Sequence, residues 1–90
     1  MENNINKTNL RYNDSEKLFI DSVLEEEKKF IKDMAKARKE KGITQKELSD
    51  RIGLRQQTIS RIENFKGKPS LTNIVKYLKG IDIDLSDIFK

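Results

Sequence analysis

The sequence predicts an all-α fold of five short helices, and three of its features support this prediction. Only one Pro and four Gly occur among the 90 residues. Charged residues make up 38% of the chain and hydrophobic residues 34%, a balance that favours a small, highly charged helical domain over a β-sandwich. Apolar residues recur at intervals of three and four along most of the chain, as they do on the buried face of a helix. No sheet is expected.

The first 26 residues are predicted to lie outside the main domain. Residues 1–14 are polar and rich in Asn, and we expect a flexible polar arm there. Ser15 is the candidate N-cap of a short helical extension over residues 15–26, in which Phe19 and Val23 are one turn apart. These two residues have no evident place in the domain that follows, so they either cover its core or contact a partner.

Residues 27–90 are predicted to form the main domain. Its first helix precedes Gly42, a residue suited to a helix end with positive φ. Thr44 and Glu47 fit the capping-box pattern, so the second helix begins at Thr44. The helices are expected over about 27–41, 44–52, 56–64, 71–79 and 85–89, with a turn through 65–69. The residues expected in the core are Phe30, Ile31, Met34, Leu48, Ile52, Ile59, Ile62, Leu71, Ile74 and Leu78.

Charge is distributed unevenly along the chain. Residues 1–26 hold three Lys or Arg and six Asp or Glu, a net charge of −3. Residues 28–79 hold fifteen Lys or Arg and five Asp or Glu, a net charge of +10. A basic middle segment suits a polyanionic partner, although a solvated Lys-rich surface is an equal alternative. We interpret four lysines as such a solvated face: Lys28, Lys29, Lys32 and Lys36.

The composition argues against an enzyme, a metal centre and a membrane protein. The chain has no Cys and no His, which removes disulfides, thiolate ligands and histidine acid–base chemistry. Acidic residues are scattered singly, so no catalytic residue, metal ligand or cofactor is expected. The start of the chain has no apolar signal-peptide region, and the longest apolar run, Leu18–Ile20, is far too short to cross a membrane. We therefore expect a cytoplasmic protein.

Two predicted helices, separated by Gly53-Leu54-Arg55, have the arrangement of a helix-turn-helix. Gly53 permits the left-handed backbone that a tight turn requires, and Leu54 fills the angle between the helices. The outer face of the second helix is polar and presents Gln56, Gln57, Ser60 and Arg61. Gln can bond an adenine edge and Arg a guanine edge in the major groove. This helix is therefore predicted to read double-stranded DNA.

From about Phe30 to Phe89 the chain resembles the Cro/Xre-type helix-turn-helix domain, the five-helix, lambda-repressor-like fold of phage repressors and many bacterial regulators. The matching residues are Ala37, Arg38, Gly42, Thr44, Gln45, Leu48, Gly53, Gln56, Ile59, Ser60, Arg61, Ile62, Glu63, Asn64, Pro69, Ser70 and Leu71. The resemblance implies an internal salt bridge between Arg38 and Glu63 and base contacts by Gln56, Gln57, Ser60 and Arg61. The phosphate contacts that it implies are Gln45, Arg55, Thr58, Asn64, Lys66 and Lys68.

The sequence departs from the family pattern at two positions. Phe65 stands where a Gly is more usual, and Gly67 is the alternative residue for that turn. Arg55 stands where the family usually has a Ser or Thr that caps the second helix of the helix-turn-helix, the recognition helix. Either Gln56 or a water compensates for the lost cap, or Arg55 itself contacts phosphate.

The function implied is that of a non-enzymatic transcriptional regulator, most simply a repressor that binds a palindromic operator as a homodimer. Candidate dimer contacts are Leu85, Ile88 and Phe89. With its acidic extension before the domain, the chain also resembles HigA-type antitoxins. This resemblance implies that the protein binds a small basic ribonuclease toxin and represses the operon that encodes both proteins. Phe19 and Val23 are the candidate toxin contacts. One alternative is a free-standing phage or plasmid regulator. A protein-binding module without DNA contact is a second alternative, which the polar outer face of the second helix of the helix-turn-helix favours less.

Overall fold

The computed structural model describes the backbone of residues 7–88 and the side chains of residues 14–88. This part of the chain is all-helical and contains no strand, so the predicted fold class is confirmed. The helices are α1 (Lys7–Glu40), α2 (Gln45–Ile52), α3 (Gln56–Glu63), α4 (Leu71–Gly80) and α5 (Leu85–Ile88).

Helix α1 is one continuous helix of 34 residues. The predicted extension and the first domain helix are therefore parts of a single element, and Ser15 is not an N-cap. Residues 7–14, expected in the polar arm, are helical, whereas residues 1–6 of that arm lie outside the described residues. The continuity has a simple reason: no Gly or Pro occurs between Lys7 and Glu40, and the junction is rich in Glu and Lys, which are strong helix formers.

The helix ends around the helix-turn-helix follow the predicted capping chemistry. Gly42, after α1, and Gly53, after α2, have φ values of 72° and 71°. At the start of α2, the Thr44 hydroxyl oxygen accepts from the Glu47 backbone N–H over 3.0 Å, and a Glu47 carboxylate oxygen accepts from the Thr44 N–H over 2.9 Å. The hydrogen bond from the Thr44 backbone to the Glu47 carboxylate, followed by the interaction with the Thr44 side chain, holds the pKa of Glu47 below its usual value. The predicted capping box is present.

The core lies between the inner half of α1, residues 27–40, and helices α2, α3 and α4. Most of the predicted core residues are buried, namely Ile31, Met34, Leu48, Ile59, Ile62 and Leu78, with Phe30, Ile52 and Ile74 packed at its edge. Ile43, Tyr77 and Ile81 are also buried, although they were not predicted. The prediction for Leu71 is wrong, because its side chain is 73% exposed at the first residue of α4.

The segments on either side of α4 both contain left-handed residues. Phe65 has a φ of 52° and Gly67 a φ of 82°, so Gly67 does not replace Phe65 in the turn; both adopt positive φ. Phe65 accepts this conformation while its ring packs against the core. After α4, the left-handed residue is Asp82, with a φ of 62°, whereas Gly80 is the last residue of the helix itself.

The outer half of α1, residues 7–26, projects from this domain and gives the molecule principal extents of 57 × 31 × 20 Å. Phe19 is 68% exposed, so it does not cover the core. Val23 is 39% exposed and borders a groove of about 530 Å³ between α1 and α4. Among the described helices, none combines the length and the apolar character that crossing a membrane requires.

Candidate nucleic-acid interface

Helix α3 is held on the domain by one face and presents the other to solvent. Ile59 and Ile62 are buried against α1 and α2, and Leu54 packs at the edge of the core in the turn before the helix. Burying this face directs the opposite face outward. The predicted base-contacting residues lie on that outer side, with Gln56, Gln57 and Arg61 exposed and Ser60 half-buried.

The first turn of α3 has no side-chain cap. Arg55 occupies the N-cap position with extended backbone, and its side chain makes no capping hydrogen bond and is exposed. Thr58, one turn further, is half-buried. The exposed Arg55 side chain at this end of the helix is therefore able to donate to an anionic group.

The phosphate-contact candidates at the other end of α3 differ in how free they are. Asn64 uses its side-chain amide to donate to the Ser60 carbonyl oxygen over 2.9 Å. The Nη2 of Arg61 is 3.4 Å from the carbonyl oxygen of Lys66, a long contact that leaves the guanidinium free to turn. Lys66 itself is exposed. Lys68 is exposed as well, but its Nζ lies 3.7 Å from Glu27 Oε1 and is thus directed toward α1.

Arg38 and Glu63 form the internal salt bridge that the resemblance implied. The Arg38 Nε donates to Glu63 Oε2 over 2.7 Å and its Nη2 donates to Glu63 Oε1 over 3.0 Å. Both side chains are only 7% exposed. A third bond, from Arg38 Nη1 to the Ile43 carbonyl oxygen over 2.7 Å, ties the same guanidinium to the loop between α1 and α2. The pair joins the inner half of α1 to the end of α3.

Two further residues, not predicted as partners of Glu63, donate to its carboxylate. The Gln45 side-chain amide donates to Oε1 over 2.9 Å, and the Tyr77 hydroxyl donates to Oε2 over 2.5 Å. Gln45, predicted to bond phosphate, is therefore also part of an internal network. Tyr77 could have been placed in the core from its spacing three residues after Ile74, but that spacing does not identify its hydrogen-bond partner.

The pKa values at this network follow from burial and hydrogen bonding. Desolvation by itself would raise the pKa of Glu63, but the hydrogen bonds from Arg38, Tyr77 and Gln45 outweigh it and leave the pKa below its usual value. The hydrogen bond to Glu63 raises the pKa of Arg38 against the opposing effect of burial. Desolvation, followed by the bond to Glu63, raises the pKa of Tyr77. At neutral pH the network holds one carboxylate, one guanidinium and one neutral phenol.

The predicted dimer contacts belong to the last residues of the chain. Leu85 packs against the core, Ile88 is 37% exposed, and the third predicted dimer contact, Phe89, lies outside the described residues. Over the part of the chain that the structure describes, no group of three or more acidic residues is arranged to hold a metal ion.

Residues 34–88 match the family described as Helix-turn-helix, which covers the inner end of α1 and all of α2 to α5. The chain is also 38% identical over 53 residues to the antitoxin HipB of Escherichia coli O6:H1, a match that covers 59% of this chain and 56% of the relative. It is 36% identical over 53 residues to the antitoxin HipB of Escherichia coli K12, covering 59% of this chain and 60% of the relative.

The match spans somewhat more than half the length of these two relatives. Both are antitoxins, as the second sequence resemblance implied, but they carry the name HipB and not HigA. The family match itself covers more than half of this chain and includes the complete α2–turn–α3 unit. The chain therefore belongs to the helix-turn-helix family, in its Cro/Xre-type form.

Proposed function

We propose that this protein is a sequence-specific regulator of transcription that binds double-stranded DNA through α3 and acts as a repressor. The observation that carries the proposal is the division of α3 into a buried face and an exposed polar face. Ile59 and Ile62 fix the helix on the domain, which leaves Gln56, Gln57 and Arg61 exposed. These residues lie within the basic segment 28–79. Side chains of this type read adenine and guanine edges in the major groove.

Phosphate contacts would set the position of the domain on the duplex. Lys66 is exposed beside the end of α3, and Arg55 is exposed at its start. Contacts of this kind orient a protein on DNA and carry no sequence information directly. We expect Thr58, Asn64 and Gln45 to add uncharged contacts, and Lys68 to contribute once it leaves Glu27.

A homodimer is the expected form on DNA. Two helix-turn-helix units related by a two-fold axis would read half-sites of a palindrome about 34 Å apart. Leu85, Ile88 and Phe89 remain the candidate dimer contacts. Of the two that the structure describes, Leu85 and Ile88, the more exposed is Ile88.

The test is a titration of the purified protein against a duplex carrying its own upstream region and against random duplex, at several salt concentrations. Gln57→Ala should lose preference for the upstream duplex with no change in salt dependence, because no charge is removed. Lys66→Ala should weaken binding to both duplexes and reduce the salt slope by about 1. Lys17→Ala, on the exposed outer half of α1, is the matched control. Equal affinity of the wild-type protein for both duplexes would contradict the proposal.

A second candidate function is that of an antitoxin, which two observations favour. The two relatives are named antitoxins, and the outer half of α1 leaves Phe19 68% exposed and Val23 39% exposed. Around them, residues 14–27 hold six Asp or Glu and one Lys, a net charge of −5, which suits a basic protein. On this proposal, Phe19 and Val23 contact a small basic ribonuclease.

Co-expression with the product of an adjacent gene tests the antitoxin function. A small basic ribonuclease encoded there should co-purify with this protein and lose its activity. A Phe19→Ala, Val23→Ala double variant should lose that partner and keep the DNA binding of the wild-type protein. The absence of any such neighbouring gene, or inhibition that is unchanged in the double variant, would favour a free-standing regulator.

A further inference from the structure

The hydroxyl group of Tyr77 has a role beyond filling the core. Tyr77 is fully buried in α4, among apolar side chains, where a hydroxyl group without a partner would be costly. It donates to Glu63 Oε2 over 2.5 Å. Glu63 is the last residue of α3. Tyr77 therefore fastens the end of the recognition helix to α4, and its position in the core excludes direct contact with DNA.

The Glu63 carboxylate is fully occupied by its donors. Oε2 accepts from Arg38 Nε over 2.7 Å and from Tyr77, and Oε1 accepts from Arg38 Nη2 over 3.0 Å and from Gln45 Nε2 over 2.9 Å. A carboxylate offers about four lone-pair positions. Four donors from three other helices thus set the rotation of one side chain on α3. When one donor is removed, the Glu63 carboxylate is expected to turn toward the donors that remain.

Gln45 connects this carboxylate to the side of the domain that would face DNA. It is the first residue of α2 and is half-buried. Because an ionised carboxylate only accepts hydrogen bonds, the Gln45 atom beside it is the amide nitrogen, which has two hydrogens. One is directed to Glu63, and the other is left to donate elsewhere. The direction of the Gln45 amide therefore depends on the orientation of Glu63.

We propose that Tyr77 is a positioning residue for DNA recognition. By holding the Glu63 carboxylate, it sets both the direction of the Gln45 amide and the placement of the end of α3 on the domain. This role rests on the proposed DNA-binding function of α3. Arg38 supplies two of the four hydrogen bonds to the Glu63 carboxylate, and Tyr77 supplies the one that comes from α4.

The variant that tests this role is Tyr77→Phe in the full chain, since it keeps the buried ring and removes only the hydroxyl group. Affinity for the upstream duplex should fall by about tenfold, the lower end of the factor that one hydrogen bond to a charged group is worth. Affinity for random duplex should fall less, so the preference for the upstream duplex declines. The salt slope should not change. In a Gln45→Ala background, Tyr77→Phe should have a smaller effect.

Ile81→Val is the matched control, because Ile81 is also fully buried in the core and has no polar group. It should lower the unfolding temperature and keep the sequence preference. If Tyr77→Phe lowers the unfolding temperature and keeps the preference too, Tyr77 is only a packing residue and the proposal is wrong. Effects of Tyr77→Phe and Gln45→Ala that add to within about twofold would also overturn it.

A measurement without DNA separates this proposal from the proposed function. In the NMR spectrum of the free protein, the side-chain amide protons of Gln45 should shift in Tyr77→Phe and stay in place in Ile81→Val. Unchanged Gln45 signals in Tyr77→Phe would overturn the positioning role even if the wild-type protein reads DNA. Shifted signals in a wild-type protein that has no sequence preference would instead place the failure in the proposed function.

Discussion

Gly80, at the end of α4, lies directly against the side chain of Leu48 in α2. A Cβ atom at residue 80 would overlap Cδ1 of Leu48 and Cγ2 of Ile52. Leu48 is fully buried. The absence of a side chain at Gly80 is therefore what lets the end of α4 pack against the first helix of the helix-turn-helix, and the conformational freedom of Gly is not used, since the left-handed residue in this segment is Asp82.

Gly80→Ala should destabilise the domain even though Ala is the better helix former. Ala in a helix is favoured over Gly by about 1 kcal/mol, whereas overpacking a filled core costs about 1–3 kcal/mol. We expect the free energy of unfolding to fall by about 1 kcal/mol. Urea denaturation would measure it, with the exposed neighbour Lys79→Ala as control. A gain in stability would show that Leu48 and Ile52 move aside at little cost.

Glu63→Ala should be among the most destabilising single changes in the protein. It leaves the guanidinium of Arg38, only 6% exposed, without a carboxylate. Removing one partner of a buried ion pair costs about 3–5 kcal/mol. The double variant Arg38→Met, Glu63→Leu should unfold at a higher urea concentration than Glu63→Ala, because it leaves no unpaired charge. An unfolding midpoint of Glu63→Ala close to that of the wild type would contradict this account.

The same carboxylate should make stability depend on pH in the acid range. The pKa of Glu63 in the folded protein is below its ordinary value of 4.5, so its stabilising effect is complete above that value and is lost as the pH falls through the folded-state pKa. Wild-type unfolding free energy should therefore decline below about pH 4.5. Glu63→Gln should start lower and decline less steeply. Part of the decline should persist in this variant, because the pKa of Glu47 is also lowered.

The two halves of α1 should respond differently to truncation of an apolar side chain. Ile31 is 2% exposed, and Ile31→Ala should cost about 2–5 kcal/mol. Phe19 is 68% exposed, and Phe19→Ala should change the free energy of unfolding by less than about 0.5 kcal/mol. Thermal or urea denaturation of both variants would measure the contrast. A comparable loss in Phe19→Ala would mean that the outer half of α1 packs on the domain in solution.

Several features of this protein were predictable from the sequence because they depend on neighbouring residues. The capping box of Thr44 and Glu47 spans three residues, and the Gly42 and Gly53 helix ends are set by local backbone geometry. Burial of Ile59 and Ile62 follows from helical spacing, and this in turn exposes Gln56 and Gln57. The recognition helix and its polar face were therefore determined locally.

Other features were decided only by tertiary contacts. Leu71 continues the apolar spacing of α4 yet is exposed, because no described part of the chain covers its side chain, whereas Ile74 in the same turn packs against the core. Glu63 accepts from Gln45 and Tyr77, which are 18 and 14 residues away in the chain. Periodicity identifies which face of a helix is buried, but a hydrogen bond between helices depends on their relative placement. That placement results from the packing of the whole core, including the close approach at Gly80, and no local pattern contains it.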